Sequence, residues 1–219
     1  MILNVVLKMI LRSWWRNKVF FLVSVASLAL GLACTNLLMT YFVHEHGLEG
    51  RNPDRDRMFF LRQDDPMTEG KRVAFAGAEI PPQLKQSYAE VEDFLRLGKL
   101  DLLYCKVNEQ KVEGDFKMLS ADTTLTNFFD YRTEEGSLSQ VLCQPGKVAL
   151  SEACARRLFG GKQAVGKQVE AHFRFGEVRT YEVAAVLKKR EQSLLQFDML
   201  IAHDPDFFWG GLTLLKLTP

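Results

Sequence analysis

The sequence predicts an α+β protein: one N-terminal transmembrane helix, then an extracytoplasmic mixed α/β domain with antiparallel strands. Three observations carry this. Residues 19–43 form an unbroken apolar run, four cations stand just before it, and beyond residue 44 period-two alternation is interleaved with short helical patterns. The expected organisation is a cytoplasmic amphipathic helix over 1–18, a transmembrane helix over 19–43 and an outer domain over 44–219.

Residues 1–18 carry Lys8, Arg12, Arg16 and Lys18 and no acid. Asn4, Lys8, Arg12 and Arg16 recur every four residues and make one polar stripe, while Ile2, Leu3, Val6, Leu7, Ile10, Leu11 and Trp14 occupy the other faces. Such a helix lies in the membrane interface and has lipid as its partner. Trp14 and Trp15 suit headgroup depth, where the indole N–H stays wet and the rings enter the acyl boundary.

The run from Val19 to Val43 has no ionisable side chain except Tyr41. At about 1.5 Å per residue its 25 residues reach roughly 37 Å, more than the ~30 Å of hydrocarbon. Hydroxyls within it can bond their own helix, and Gly31 and Ala33 suit close packing against helical neighbours. Cations precede the run and mixed charges follow it, so the positive-inside rule puts the N-terminus in the cytoplasm. A cleaved signal peptide is disfavoured, because the apolar run continues well past Ser27-Leu28-Ala29. Gly31-Leu32-Ala33-Cys34 is a poor lipoprotein box, with Gly31 where a large aliphatic residue is expected.

In the outer domain, Arg57–Leu61 and Val73–Phe75 read as strands around a turn-rich loop. After Pro81-Pro82, the spacing of Leu84, Tyr88, Val91 and Leu95 predicts a helix with one apolar face. Cys105 and Val107, then Phe116 and Met118, read as short strands, and Leu125, Phe128 and Phe129 as a brief buried helix. From Lys147 a strand runs into a helix with Ser151 as N-cap, which Gly160-Gly161 stops. Val169, Ala171, Phe173 and Phe175 alternate, Gly176-Glu177 turn, and Tyr181, Val183, Ala185 and Leu187 alternate back as a hairpin.

Composition narrows the function. Apolar residues are 47% and charged residues 25%, as in a folded globular chain. Removing the four cations of 1–18 from a net charge of +1 leaves −3 on the remainder, a poor match for nucleic acid. Cys105, Cys143 and Cys154 are odd in number and read first as core residues; one disulfide is possible and none is required.

Residues 161–168 nearly match the phosphate loop G-x-x-x-x-G-K-[ST], but Gln168 replaces the Mg²⁺-binding hydroxyl. The loop also follows a helix and precedes a strand, the reverse of the order that aims amides at phosphate. A structural turn is the better reading. His44-Glu45-His46 reads as a solvated helix end rather than a metal site, since i and i+2 face apart. His172 and His203 are isolated, and no nucleophile has local signature support. No catalytic, metal or cofactor residue is therefore expected, and the chain reads as a non-enzyme.

Taken in order, these parts resemble the start of a permease of the MacB and FtsX family of ABC transporters, the type with a large periplasmic core domain. The carriers are the basic helix and span LRSWWRNKVFFLVSVASLALGLAC, the stretches PPQLKQSYAEVEDFLRL and LSADTTLTNFFDYRTEEGSL, and above all VALSEACARRLFGGKQAVGKQV. In the last, Ser151, Glu152, Ala155, Phe159, Gly160, Val165, Gly166 and Lys167 match a strand, a Ser-Glu-x-x-Ala helix, a Phe-Gly turn and a Val-Gly-Lys lead into the next strand. Ala164 stands where the family commonly has Pro.

The resemblance implies a bacterial inner-membrane permease subunit, homodimeric at full length. A separate cytoplasmic ABC ATPase hydrolyses ATP, and the periplasmic domain transmits the resulting motion for export or envelope processes. The family's later spans are missing, so an N-terminal part of a permease is expected. The alternatives are a membrane-anchored sensor or assembly module that binds a peptide, lipid or envelope protein and, more weakly, an anchored hydrolase.

Overall fold

The computed structural model describes residues 17–47, 52–64, 71–161, 163–174, 176–188, 193–204 and 210–219, with side chains left undescribed at 44–47. The chain divides into two units, 1–48 and 49–219.

In the first unit, helix α1 (Lys18–Gly47) covers the predicted span and is about 45 Å long at 1.5 Å per residue. None of Lys18–Val43 is buried within the protein. The hydroxyls of Ser27, Thr35 and Thr40 donate to carbonyls four residues back at 2.8, 2.9 and 2.8 Å, so these three polar groups are satisfied within the helix itself.

The second unit starts with a 3₁₀ turn (Arg55–Arg57), β1 (Met58–Phe60), the two-stranded ribbon β2 (Gln63–Asp64) and β3 (Arg72–Val73), and β4 (Ala76–Gly77). Helix α2 (Ile80–Ser87) leads to the long β5 (Val91–Val107), then β6 (Gln110–Glu113), β7 (Lys117–Ala121), α3 (Leu125–Phe128), β8 (Thr133–Gly136) and α4 (Leu138–Cys143). β9 (Lys147–Ser151), α5 (Glu152–Phe159), β10 (Gln168–Phe173), β11 (Val178–Leu187), β12 (Met199–Ala202) and β13 (Gly210–Leu217) complete it.

The main sheet runs β1-β13-β5-β10-β11-β9-β12-β7, and β7 pairs back with β5, so the path from β5 to β7 closes on itself. Most pairs are antiparallel; β9–β11 and β7–β12 are parallel. Side-chain alternation sorts neighbours into two cores. Val148, Leu150, Val183, Met199 and Ile201 enter one with Cys105 and the inner face of α5. Ala149, Leu187 and Leu200 enter the other with Leu95, Leu97, Phe128, Phe129 and Val141.

Four sequence expectations need correction. The helix after the two prolines ends at Ser87; Val91 and Leu95 belong to β5, and Tyr88 is exposed at the helix end. Val91 and Leu95 are four positions apart, which fits one helical turn and two strand repeats equally; Asp93, Leu95 and Leu97, all buried two apart, show that the period is two. Phe116 precedes its strand, and the second early strand covers only Arg72–Val73. Cys143, at the end of α4, is exposed, whereas Cys105 and Cys154 are buried; all four cysteines are free thiols. The hairpin predicted from residue 169 onward forms as β10–β11, with Phe175 outside the described residues.

Candidate functional site

The sharpest sequence motif is a structural joint between β9, α5 and β10. The Ser151 backbone is extended, and its Oγ accepts from the Cys154 N–H at 3.2 Å, which caps α5. Glu152 pairs with Arg156 Nη1 at 2.5 Å one turn on. Ala155 and Phe159 are buried in the first core. Gly160 takes φ +64 and donates its N–H to the Arg156 carbonyl at 2.8 Å, which ends the helix as a left-handed cap.

Val165 packs against the same core, and Gly166 takes φ +85 while donating to the Val183 carbonyl at 2.8 Å. The Lys167 carbonyl accepts the Val183 N–H, also at 2.8 Å, so the turn is riveted to both sides of one β11 residue. The Lys167 ammonium lies 4.9 Å from the centre of the Phe159 ring. The phosphate-loop likeness therefore ends as a turn whose lysine packs on an aromatic ring.

Of the predicted membrane-interface residues, Lys8, Arg12, Trp14, Trp15 and Arg16 lie outside the described residues, and Lys18 begins α1. The side chains of His44, Glu45 and His46 are likewise not described.

Isolated titratable groups have local partners. His172 stacks on Tyr104 with ring centres 4.2 Å apart and bonds Glu170. Burial, helped by nearby Arg96, holds the His203 imidazole below its usual range against Asp122 and Asp204. Burial pushes the Cys105 thiol up to about 12 and Cys154 higher, so neither is a thiolate nucleophile near neutral pH. A cleft of about 380 Å³ is lined by Lys147, Arg179, Tyr181 and His203 among others. Its two cations are already paired, Lys147 with Glu182 and Arg179 with Glu177 and Asp204.

A second cluster had no local sequence signal. Arg57 bonds Asp54 and reaches Glu92 Oε2 at 2.6 Å, and Lys216 Nζ meets Asp54 Oδ2 at 2.6 Å and Glu92 Oε1 at 3.3 Å. Each cation thus touches both acids. The Lys216 side chain is only 9% exposed, and Arg57 Nη1 also donates to the Leu217 carbonyl at 2.8 Å across 160 positions of sequence. The Lys216 and Arg57 hydrogen bonds hold Asp54 below the usual carboxylate range; Arg57 does the same for Glu92. The ring joins the segment that follows α1 in the chain to the start of β5 and the end of β13.

Comparison with known proteins gives one family. Residues 21–213 match the model of the MacB-like periplasmic core domain. A domain of a putative permease from Porphyromonas gingivalis is similar at 18% identity and TM-score 0.61, covering 76% of this chain and 75% of that one. The extracellular domain of YknZ, a noncanonic ABC-type transporter from Gram-positive bacteria, is similar at 16% identity and TM-score 0.56, covering 74% of this chain and 82% of its own. The periplasmic region of MacB from Actinobacillus actinomycetemcomitans gives 11% identity and TM-score 0.53, covering 79% and 77%. At such identities these structures show the shared fold. A search of curated protein sequences gives no significant match.

Proposed function

The chain belongs to the MacB-like periplasmic core domain family, and on that premise we propose that it serves in an ABC permease subunit whose outer domain carries motion driven by a separate cytoplasmic ATPase. The single observation behind this is the family match over 21–213, which takes in both the apolar helix and the mixed domain after it. In this reading α1 crosses the bacterial inner membrane with residues 1–18 inside, Lys8, Arg12, Trp14, Trp15, Arg16 and Lys18 hold the inner interface, and the outer domain is periplasmic. The joint from Ser151 through Lys167 keeps α5 and β10 moving as one body.

The domain's chemistry suits transmission rather than catalysis. Two alternating cores and a self-closed strand path make a stiff body, which displaces as a unit instead of absorbing strain. ATP binding and hydrolysis then fall to the partner, and the permease acts as a homodimer at full length.

The test is photo-crosslinking in native membranes, with the probe in residues 1–18 of the tagged full chain. Recovery of an ABC ATPase, with a yield that changes when ATP hydrolysis is blocked by vanadate, is the expected result. Crosslinks to lipid alone would overturn the ATPase partnership and favour the sensor or assembly reading.

A further inference from the structure

The ring of Asp54, Arg57, Glu92 and Lys216 holds a segment that, among the described residues, buries little apolar surface. The 3₁₀ turn at 55–57 buries no residue, and in β1 Phe59 and Phe60 are 50% and 41% exposed, leaving Met58 to pack on the second core. Among the described residues its other ties include the following. Asn52 Nδ2 donates to the Phe128 carbonyl at 2.6 Å, Leu61 N to the Thr213 carbonyl at 2.9 Å, and β1 pairs with β13 over Met58–Phe60. By contrast, β9 and β11 bury residues on both faces. Segments with few apolar contacts open locally well below the free energy of global unfolding.

Asp93 lies across from Lys216 in the strand ladder but is bound by Lys85, Asn127 and the Phe94 N–H. Arg55, Asp56 and Glu90, adjacent in sequence to ring residues or nearly so, are exposed. A pair of well-packed apolar side chains would hold the segment as firmly or more so. Ion pairs instead make the hold respond to salt, acid or a competing charge.

We infer that this ring is a releasable latch: its opening frees residues 52–60 from β5 and β13 while both cores stay folded. Its use in gating motion between the membrane helix and the sheet rests on the permease reading above; its existence does not.

Hydrogen exchange on the full chain in lipid nanodiscs tests it, with peptides over 52–60 compared with those over 147–151 and 181–187. In the native protein, raising salt to about 1 M, where the Debye length is ~3 Å, should speed exchange in 52–60 and leave the central strands protected. Lys216→Met should speed it at least about tenfold at low salt, with most of the salt response gone, because one buried partner of the pairs is lost. Glu92→Gln should give the same change in smaller measure and serves if Lys216→Met folds poorly. Exchange in 52–60 that is unmoved in both variants, or central strands that lose protection together with it, overturns the latch. Neither result bears on the ATPase crosslink, so the two proposals fail separately.

Discussion

Replacing Gly136 by alanine should cost far more than the same change at Gly160, although both glycines have positive φ. Gly136 has φ +76 and Gly160 φ +64, so each substitution incurs the left-handed penalty of about 1–2 kcal/mol. Any gain from restricting the unfolded chain is common to both and cancels. The surroundings differ. A Cβ at Gly160 meets nothing within 4 Å, whereas at Gly136 it would sit 2.0 Å from the Ala184 carbonyl oxygen. That oxygen is backbone of β11, held between β9 and β10, and it accepts the Ser137 N–H at 3.0 Å. Relief therefore requires β8 to lift away, losing at least one hydrogen bond worth about 1 kcal/mol together with packing of α4. We expect Gly136→Ala to destabilise by about 3 kcal/mol or more and Gly160→Ala by about 1 kcal/mol. Urea titration of the full chain in detergent, followed by far-ultraviolet circular dichroism, gives both values if the slopes agree. Costs equal within about 0.5 kcal/mol would refute the close approach of β8 to β11.

Ser151→Ala should lower stability by about 1 kcal/mol through loss of the α5 cap in the same titration, with Ser151→Asp largely restoring it. Acid should destabilise the domain in two stages. His203 has a folded pKa below its usual 6.5, so the unfolded chain takes up the proton first and stability falls as pH drops below 6.5; His203→Gln should remove this stage. Asp54 and Glu92 are held below their usual values by ion-pair hydrogen bonds and Glu170 by its hydrogen bonds with His172 and Lys106, while at Asp93 burial acts upward but is outweighed by hydrogen bonds from Asn127, Lys85 and the Phe94 N–H. Their contribution is full above the usual carboxylate range and is lost as pH falls through the lower folded values, which urea midpoints at pH 7, 5 and 3 will show. Lys167→Met should leave ATP binding by the chain unchanged in isothermal titration, because its ammonium lies over Phe159 in a turn before a strand.

Features with strong local signals were legible in the sequence. The apolar run became α1, and the Ser151 cap, the Gly160 stop and the alternation after residue 169 became α5 and the β10–β11 hairpin, because each depends on a few neighbouring residues. β5 was obscured where its buried positions coincided with helical spacing. The six residues of α4 were too short to show a periodicity. Closure of the sheet through β5–β7 and the charge ring were invisible for a different reason: both join residues whose proximity only the finished topology creates. Arg57 and Lys216 are ordinary surface-type cations in sequence, and it is the β1–β13 register that sets Met58 opposite Lys216 and brings them together.

Whether the domain lies outside the cytoplasm can be tested with the chain's own cysteines. Cys105 and Cys154 are buried, Cys34 lies in the span, and Cys143 is exposed at the end of α4. In spheroplasts a membrane-impermeant maleimide should modify one thiol, and Cys143→Ser should abolish the labelling. A Cys143 that reacts only after the membrane is broken would place the domain in the cytoplasm and contradict the permease reading.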